Sequence, residues 1–273
     1  MSQETTTITR IGHSTVLIQL PYLTILTDPV LFSRIGVKLG SWTLLGLKRY
    51  TPPALTVSEL PPIDLILLSH AHMDHLDTQT LLALTRKQPY QITVITAFNT
   101  VRWIKEYQWK EIYELDRDQE LDLLGIRITA GETRHRWARY PWNPDRSQEK
   151  LNGAGHNSYM IEFQQNKQKK EIVFWGDSAY THAFKKWSTE HVDVAIMPIG
   201  AYDPFRFQHC TPEESLKMAK DMNSKVFIPV HWNTFVMSKE KKTAPMERLK
   251  AALEIDSTIK LWLEDIGEKY ILE

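Results

Sequence analysis

The chain has 273 residues, of which 42% are hydrophobic and 24% are charged, as is usual for a globular protein. Basic and acidic residues number 33 each, so the net charge is zero, which argues against nucleic acid as a partner. The single cysteine excludes an intrachain disulfide and fits a reducing compartment. The start, MSQETTTITR, lacks a signal-peptide pattern, and every apolar run is shorter than the ~20 residues of a membrane span, so we expect a cytoplasmic protein.

Short apolar runs typical of strands recur along the chain, and several are continuous, as in strands buried on both faces. They cover residues 14–20, 23–28, 64–70, 92–97, 124–130, 157–163, 171–177, 192–200, 225–231 and 259–265. The early strands follow one another and helices intervene later, which favours a layered α/β sandwich over a strictly alternating parallel fold. Because no repeat, low-complexity tract or Gly/Ser linker interrupts the pattern, we predict a single domain over residues 1–273.

Helical patterns lie between the strands, at residues 78–87, 101–108, 211–222 and 246–254. The clearest is 211–222, where Thr211 is a good N-cap, Pro212 suits the first helical position and Glu214 completes a capping box. One face of this helix then carries Leu216, Ala219 and Met222 at helical spacing.

The stretch LLSHAHMDHLD, residues 67–77, places three histidines and two acids directly after an apolar run. Its pattern His-x-His-x-Asp-His consists of His70, His72, Asp74 and His75. If the strand ends near His70, the first two imidazoles point the same way, and the other two side chains face a nearby point from a turn. Imidazole and carboxylate together suit zinc, and also iron or manganese. Two further apolar runs end in metal-competent residues, at Asp177 and His231.

These residues carry a resemblance to metallo-β-lactamase-fold hydrolases, and in detail to the branch with N-acyl-phosphatidylethanolamine-hydrolysing phospholipase D and related bacterial proteins. The matching segments are IGHSTVLIQL…LTILTDPV, SHAHMDHLD, FWGDSAY, MPIGAYDPFRFQHCTPEES and IPVHWNTF, which together span most of the chain. The resemblance implies a four-layer αβ/βα sandwich of two mixed β-sheets. It also implies two divalent metal ions, with zinc favoured and iron or manganese as alternatives.

The resemblance implies seven metal ligands: three on one ion, three on the other and one that bridges them. These are His70, His72 and His135; Asp74, His75 and His231; and Asp177. Asp177 suits the bridging role on physical grounds too, because a carboxylate has two oxygens and would be a costly buried charge without a cation. His156, in GAGHNSY, is a rival to His135.

The sequence also gives expectations for further residues. The predicted catalytic residues are Asp74 and His209, the latter lining the site as a substrate contact or proton donor. His13 and Asp28 match the family as structural groups that orient ligands. We expect His182 and His191 to be surface residues, and a nucleophilic pair of Cys210 with His209 is disfavoured because adjacent side chains point apart.

The expected reaction is attack by a metal-bridging hydroxide on phosphorus or a carbonyl carbon, since one zinc already lowers the pKa of water to about 7. A phosphodiester, such as a phospholipid, is the predicted substrate, and a lactone or carboxylic ester is the alternative. A non-enzymatic metal-binding protein is a further alternative, disfavoured because every expected ligand is present. The sequence leaves the oligomeric state open.

Two segments are candidate substrate contacts. Residues 30–50 are apolar and basic, with Arg34, Lys38, Lys48 and Arg49 and no acid, so they are either an amphipathic lip that meets a membrane or a packed loop with solvated cations. Residues 134–150 mix four arginines with Trp137, Tyr140 and Trp142. Arginine near a metal pair favours a phosphate-bearing substrate, although this composition is also common on plain surfaces.

Overall fold

Two seven-stranded mixed sheets divide the chain between them in the computed structural model, which describes residues 5–39, 42–136, 139, 154–187, 191–255 and 257–272. Each sheet belongs to one of two compact units. The first unit comprises Met1–Asp116, Arg136–His156 and Asp265–Glu273, and the second comprises Arg117–His135 and Asn157–Glu264.

The first unit holds one sheet, a short hairpin and one α-helix. Its strands are β1 (Thr6–Gly12), β2 (Thr15–Gln19), β3 (Thr24–Thr27), β4 (Val37–Leu39), β5 (Trp42–Leu45), β6 (Leu65–Leu68), β7 (Thr93–Ala97), β8 (Glu111–Leu115) and β16 (Lys269–Leu272), and its α-helix is α1 (Thr78–Lys87). The sheet order is β16-β1-β2-β3-β6-β7-β8, and β4 and β5 form the hairpin. The last four strands of this order run parallel, so their carboxyl ends lie on one edge of the sheet.

The core of the first unit lies between α1 and the parallel strands. The residues of β6, Leu65–Leu68, are all buried, as expected of a central strand. Leu81 and Leu84 of α1 pack in the same cluster as Ile66 and Leu68. Asp77 caps α1 by accepting a hydrogen bond from the Thr80 amide, which fixes where the chain leaves the histidine-rich loop.

The second unit holds the other sheet and two α-helices. Its strands are β9 (Glu120–Leu123), β10 (Ile126–Glu132), β11 (Asn157–Gln165), β12 (Gln168–Phe174), β13 (Val194–Pro198), β14 (Val226–Val230) and β15 (Lys260–Leu261), and its helices are α2 (Pro212–Asp221) and α3 (Ala244–Ile255). The order is β15-β14-β13-β12-β11-β10-β9, with β12 to β15 parallel. Leu216, Ala219 and Met222 pack in its core, as the helical spacing predicts.

Every predicted strand run overlaps a strand, and the predicted helix at 78–87 is confirmed residue for residue. The capping box at the start of α2 is also confirmed, with Thr211 and Glu214 bonded reciprocally. The predicted helix at 101–108 is wrong, because only Val101–Trp103 forms a helical turn, of the 3-10 type. The turn has no side-chain cap, and eight residues are too few to stabilise a helix alone. Within the described part of the chain, every helix is too short or too polar to cross a membrane.

Two 3-10 turns and several strands have no clear signal in the sequence. The turns are Val101–Trp103 and Ala183–Trp187. Strand β1 is buried throughout although it contains Arg10, whose guanidinium interacts with Asp265 and Glu268 near the C-terminus. Burial lowers the pKa of Arg10 to about 10, and the two acids oppose that shift. Because β1 contains this charged residue, the strand does not stand out in the sequence as an apolar run.

Candidate metal centre

The histidine-rich loop begins where β6 ends, at the carboxyl edge of the first sheet. His70 is buried and forms a main-chain bridge with His156, which fixes its position. The Nε2 of His70 lies 2.9 Å from the Nδ1 of His72, so the two rings meet as the alternation of side chains predicts. Two imidazole nitrogens at this separation can both face one candidate metal position.

Asp74 and His75 lie one turn further, in a bend whose amides at His75 and Leu76 donate to the His72 carbonyl. The Nε2 of His75 is 3.3 Å from Oδ2 of Asp74. The same carboxylate oxygen lies 3.0 Å from Nε2 of His13, in the turn between β1 and β2. The predicted role of His13 as a group that orients a ligand therefore has a direct contact behind it.

Asp28, at the end of β3, ties the histidine-rich loop to the sheet. Its carboxylate accepts hydrogen bonds from the amide of Ser69 at 2.7 Å and from the hydroxyl of Ser69 at 2.5 Å. It also lies 2.6 Å from Nδ1 of His75, and both side chains of this pair are fully buried. Asp28 has a φ of +31°, a backbone conformation that residues other than glycine rarely adopt unless surrounding contacts hold them in it.

Arg139 supports the same loop from the segment after His135. Its Nη1 donates to the carbonyls of Ala71 at 2.7 Å and Leu76 at 3.1 Å. The guanidinium also lies 5.5 Å from the centre of the Trp103 ring. Arg139 is buried, so this residue of the arginine-rich segment positions backbone rather than facing solvent.

The second unit presents its own cluster at the carboxyl edge of its parallel strands. Asp177 follows β12, and His231 follows the parallel strand β14. The Nε2 of His231 lies 3.1 Å from Oδ2 of Asp177, and both side chains are buried. His231 has a φ of +61°, a strained conformation that turns its ring at the strand end.

Two more histidines converge on Asp177. The Nδ1 of His209 lies 3.7 Å from Oδ2 of Asp177, and its ring stacks on that of His231 at 5.3 Å. The Nε2 of His135 lies 4.0 Å from the same oxygen. On its other side, Nδ1 of His135 donates to the carbonyl of Gln208 at 2.9 Å, which fixes the tautomer with Nε2 as acceptor.

The donor atoms of both clusters have the chemistry of a divalent-metal site. In the first unit, one ligand atom from each of Asp28, His70 and His75 lies within 4.8 Å of the others. In the second unit, the same holds for Asp177, His209 and His231. Neutral imidazole nitrogens and carboxylate oxygens are the donors that zinc, iron and manganese take in proteins. A fully buried carboxylate is costly without a cation, so the residues fit a metal.

The remaining histidines lie as follows. His156, the rival ligand, meets His70 through main-chain atoms and belongs to none of the ligand groups among the described residues. His182 is exposed, and His191 is half-buried with its Nε2 3.6 Å from Asp193. Cys210 is fully buried, its thiol donates to the Pro198 carbonyl, and burial raises its pKa to about 12, which disfavours a nucleophilic role.

The two candidate substrate segments are only partly described. In residues 30–50, Leu45, Leu47, Arg34 and Lys48 are exposed. Arg49 is instead buried near Asp77, and burial lowers its pKa to about 10, so its expected place among solvent-facing cations is wrong. A Cβ at Gly12 would lie 3.3 Å from an Nη atom of Arg49, so the guanidinium packs close to this glycine. The side chain of Lys38 and the residues Trp137, Tyr140 and Trp142 lie outside the described residues.

Sequence reasoning missed several supporting groups. Ser69 stands directly before His70, and its position next to a predicted ligand is a usable signal. Arg139 and the Gln208 carbonyl were not recognisable, because one lies in a segment of mixed aromatic and basic residues and the other is a main-chain atom. Such partners are separated by many residues along the chain and meet only through the fold.

Comparison with known proteins places the chain in a family. The family model described as "Beta-lactamase superfamily domain" matches residues 24–232. An uncharacterized Mycobacterium tuberculosis protein is 29% identical over 262 residues, which cover 89% of this chain and 63% of that protein. This chain therefore spans less than two thirds of the length of that relative.

A second relative and one solved structure add to this match. The N-acyl-phosphatidylethanolamine-hydrolyzing phospholipase D 1 of Caenorhabditis elegans is 27% identical over 92% of this chain and 71% of its own. The isothiocyanate hydrolase from Delia radicum gut bacteria has a TM-score of 0.73 at 18% identity, over 97% of this chain and 98% of its own, and shows the fold alone. The predicted α/β class with two mixed β-sheets is confirmed. The chain belongs to the beta-lactamase superfamily domain family.

Proposed function

We propose that this protein is a metal-dependent hydrolase that binds two divalent metal ions, with zinc favoured and iron or manganese as alternatives. Three residues would hold the first ion, three would hold the second, and one would be shared between them. In that order they are His70, His72 and His135; Asp74, His75 and His231; and Asp177. Membership of the beta-lactamase superfamily domain family supports the proposal.

The observation that carries the proposal is the setting of Asp177. This buried carboxylate has imidazole nitrogens of His231, His209 and His135 at 3.1, 3.7 and 4.0 Å from its Oδ2. Four polar side chains gathered in a buried position are expensive unless they bind something that needs them. Carboxylate oxygens and imidazole nitrogens are donors that a divalent cation takes.

The residues of the proposed site have different roles in hydrolysis. When bound, the ions would polarise the electrophile and lower the pKa of water. Asp28 holds His75 in the tautomer whose Nε2 is the ligand atom, and His13 holds the carboxylate of Asp74. We assign Asp74 and His209 as catalytic residues, with His209 supplying a proton to the leaving group.

We propose a phosphodiester as the substrate, with a phospholipid as the natural form. The named activity of the Caenorhabditis elegans relative supports this class. Hydrolysis of a lactone or carboxylic ester requires the same polarised electrophile and the same activated water, so it is the competing outcome of the test.

We also propose that residues 30–50 meet a membrane surface. Leu45 is 66% exposed and Leu47 is 39% exposed, and Arg34 and Lys48 beside them are exposed cations. Apolar side chains flanked by cations suit the interface of an anionic bilayer. Flotation with phosphatidylserine vesicles should recover wild-type protein but less of Leu45→Asp. Equal recovery would contradict the contact.

Two further features of the proposal concern organisation and location. We propose a single hydrolase domain over residues 1–273, supported by a family match that includes residues of both compact units. A cytoplasmic location stays a prediction, and the lone buried cysteine fits a reducing compartment.

The test combines metal analysis with parallel assays. Purified protein should contain about two equivalents of metal, and Asp177→Asn should lose most of it. The metal-loaded protein should hydrolyse a chromogenic phosphodiester and N-acyl-phosphatidylethanolamine in vesicles faster than a panel of lactones. Lactone turnover without phosphodiester turnover would overturn the substrate class, and absence of metal binding would overturn the hydrolase.

A further inference from the structure

Residues 199–210 form a loop that connects β13 to α2, here called the support loop. It carries His209, and its Gln208 carbonyl accepts the hydrogen bond from Nδ1 of His135. At its far end the amide of Cys210 donates to the Ser178 carbonyl, next to Asp177. The support loop therefore contains His209, contacts His135 and is bonded next to Asp177.

The beginning of the support loop packs directly on the backbone of His231. The amide of Ile199 donates to the Val230 carbonyl at 3.0 Å. A Cβ at Gly200 would lie 2.2 Å from the carbonyl oxygen of His231, so only glycine allows this approach. A shift of the loop at Gly200 has to move the backbone that holds the His231 ring.

Glu240 clamps the support loop from the chain beyond β14. Its Oε1 accepts from the amide of Ala201 at 2.7 Å, and its Oε2 accepts from the amide of Asp203 at 3.2 Å. The amide of the neighbouring Lys239 donates to the Asp203 carbonyl at 2.8 Å, which completes a ring of three hydrogen bonds. Ala201 is buried with a φ of +63°, a strained conformation that this clamp helps to hold.

A second attachment holds the residue between the two clamped amides. The guanidinium of Arg248 on α3 lies 4.7 Å from the centre of the Tyr202 ring. The same guanidinium makes two hydrogen bonds, of 2.8 and 2.7 Å, to Glu213 in the first turn of α2. The loop is thus held at Tyr202 by Arg248 and at the two flanking amides by the side chain of Glu240.

We infer that Glu240 is a positioning residue for His135, His209 and His231, acting through the support loop. A carboxylate offers a separate oxygen to each of the two amides, so Glu240 fixes the position of the loop relative to the His231 backbone and the position of the Gln208 carbonyl. The consequence for metal binding rests on the proposed function. The consequence for the imidazoles does not, because it concerns only the arrangement of this chain's own atoms.

The test compares Glu240→Ala, Glu240→Gln and the control Lys241→Ala, which changes the adjacent exposed side chain. Glutamine keeps one acceptor oxygen but places an N–H group where the second is needed, so it should lie between wild type and alanine. In metal-free protein, 15N NMR of the histidine rings reports the tautomer of His135 and the environment of His231. Zinc affinity is then measured by competition with a chelator.

Glu240→Ala should lose the defined His135 tautomer and bind zinc roughly 10 to 100-fold more weakly, with Glu240→Gln in between and Lys241→Ala as wild type. Wild-type ring signals and wild-type zinc affinity in Glu240→Ala would overturn the inference. So would a disturbance confined to the Ala201 and Asp203 amides. If Glu240→Ala does not fold, Glu240→Gln decides by the same criteria. If wild type binds no zinc, the proposed function fails, and the ring signals in metal-free protein still decide the role of Glu240.

Discussion

The Nε2 of His13 lies 3.0 Å from Oδ2 of Asp74, although 61 residues separate them in the chain. His13 has a φ of +52° in the turn that joins β1 to β2, and it is buried. The same oxygen of Asp74 faces His75 at 3.3 Å. A strained buried turn that delivers one imidazole to a carboxylate fixes the orientation of that carboxylate.

Replacing His13 with alanine should therefore weaken metal binding by roughly 10 to 100-fold, because Asp74 loses the partner that orients it. Metal affinity is measured by competition with a chelator. His182→Ala, which removes an exposed imidazole, should bind as wild type. Unchanged affinity in His13→Ala would contradict the orienting role of His13.

The second prediction concerns Asp28. In Asp28→Asn, one carboxylate oxygen becomes an N–H group that faces the donors of Ser69 and His75, so the free energy of unfolding should fall by about 2–3 kcal/mol. Denaturant titration measures the change. Asp64→Asn is a matched control, because Asp64 also accepts from a main-chain amide, that of Thr24, but is exposed. A loss in the control as large as in Asp28→Asn would contradict the reasoning.

The third prediction separates catalysis from metal binding. His209→Ala should lower turnover by at least about 100-fold, the usual range for loss of a general acid, while metal content stays the same. Turnover of a chromogenic phosphodiester and metal analysis are measured on one preparation. Loss of metal together with turnover would identify His209 as a metal ligand instead. Its Nδ1 lies 3.7 Å from Oδ2 of Asp177, which is the reason to test this alternative.

The fourth prediction tests the close approach at Gly200. Gly200→Ala should destabilise the protein by roughly 3 kcal/mol or more, because the new methyl group would lie 2.2 Å from the main-chain carbonyl oxygen of His231, so backbone has to shift. Thermal unfolding measures the effect. Gly267→Ala is informative beside it, since a Cβ there meets only Ala54 at 3.6 Å and the cost is backbone strain of about 1–2 kcal/mol. Equal losses would show that the carbonyl contact has no special cost.

The fifth prediction concerns Cys210, whose pKa burial raises from 9.0 to about 12. The protonated thiol is favoured in the folded state, so its contribution to stability is full below the unfolded pKa of 9.0 and is lost as the pH rises through about 12. At neutral pH the native thiol should resist iodoacetamide, and denaturant should make it reactive. Rapid labelling of native protein would contradict the burial. Cys210→Ala should keep turnover.

Much of the fold can be predicted from the sequence. The apolar runs that contain β6, β7, β13 and β14 are short and rich in branched residues, a pattern that predicts strands. The caps of α1 and α2 are local, since Asp77 and Thr211 bond amides three residues away. The helix predicted at 101–108 does not form, because a helix of eight residues has too little cooperativity without a packed face.

For the site, the sequence by itself determined the donors: the spacing of His70, His72, Asp74 and His75 and the acids and imidazoles at strand ends follow from local pattern. Only the tertiary structure decided what holds those donors in place. The contacts of Asp28 with Ser69 and of His13 with Asp74 join residues 41 and 61 positions apart. Glu240 joins residues 39 and 37 positions away. Hydrogen bonds depend on distances below about 3.5 Å in space, and no periodicity along a chain encodes which distant segments a fold brings that close.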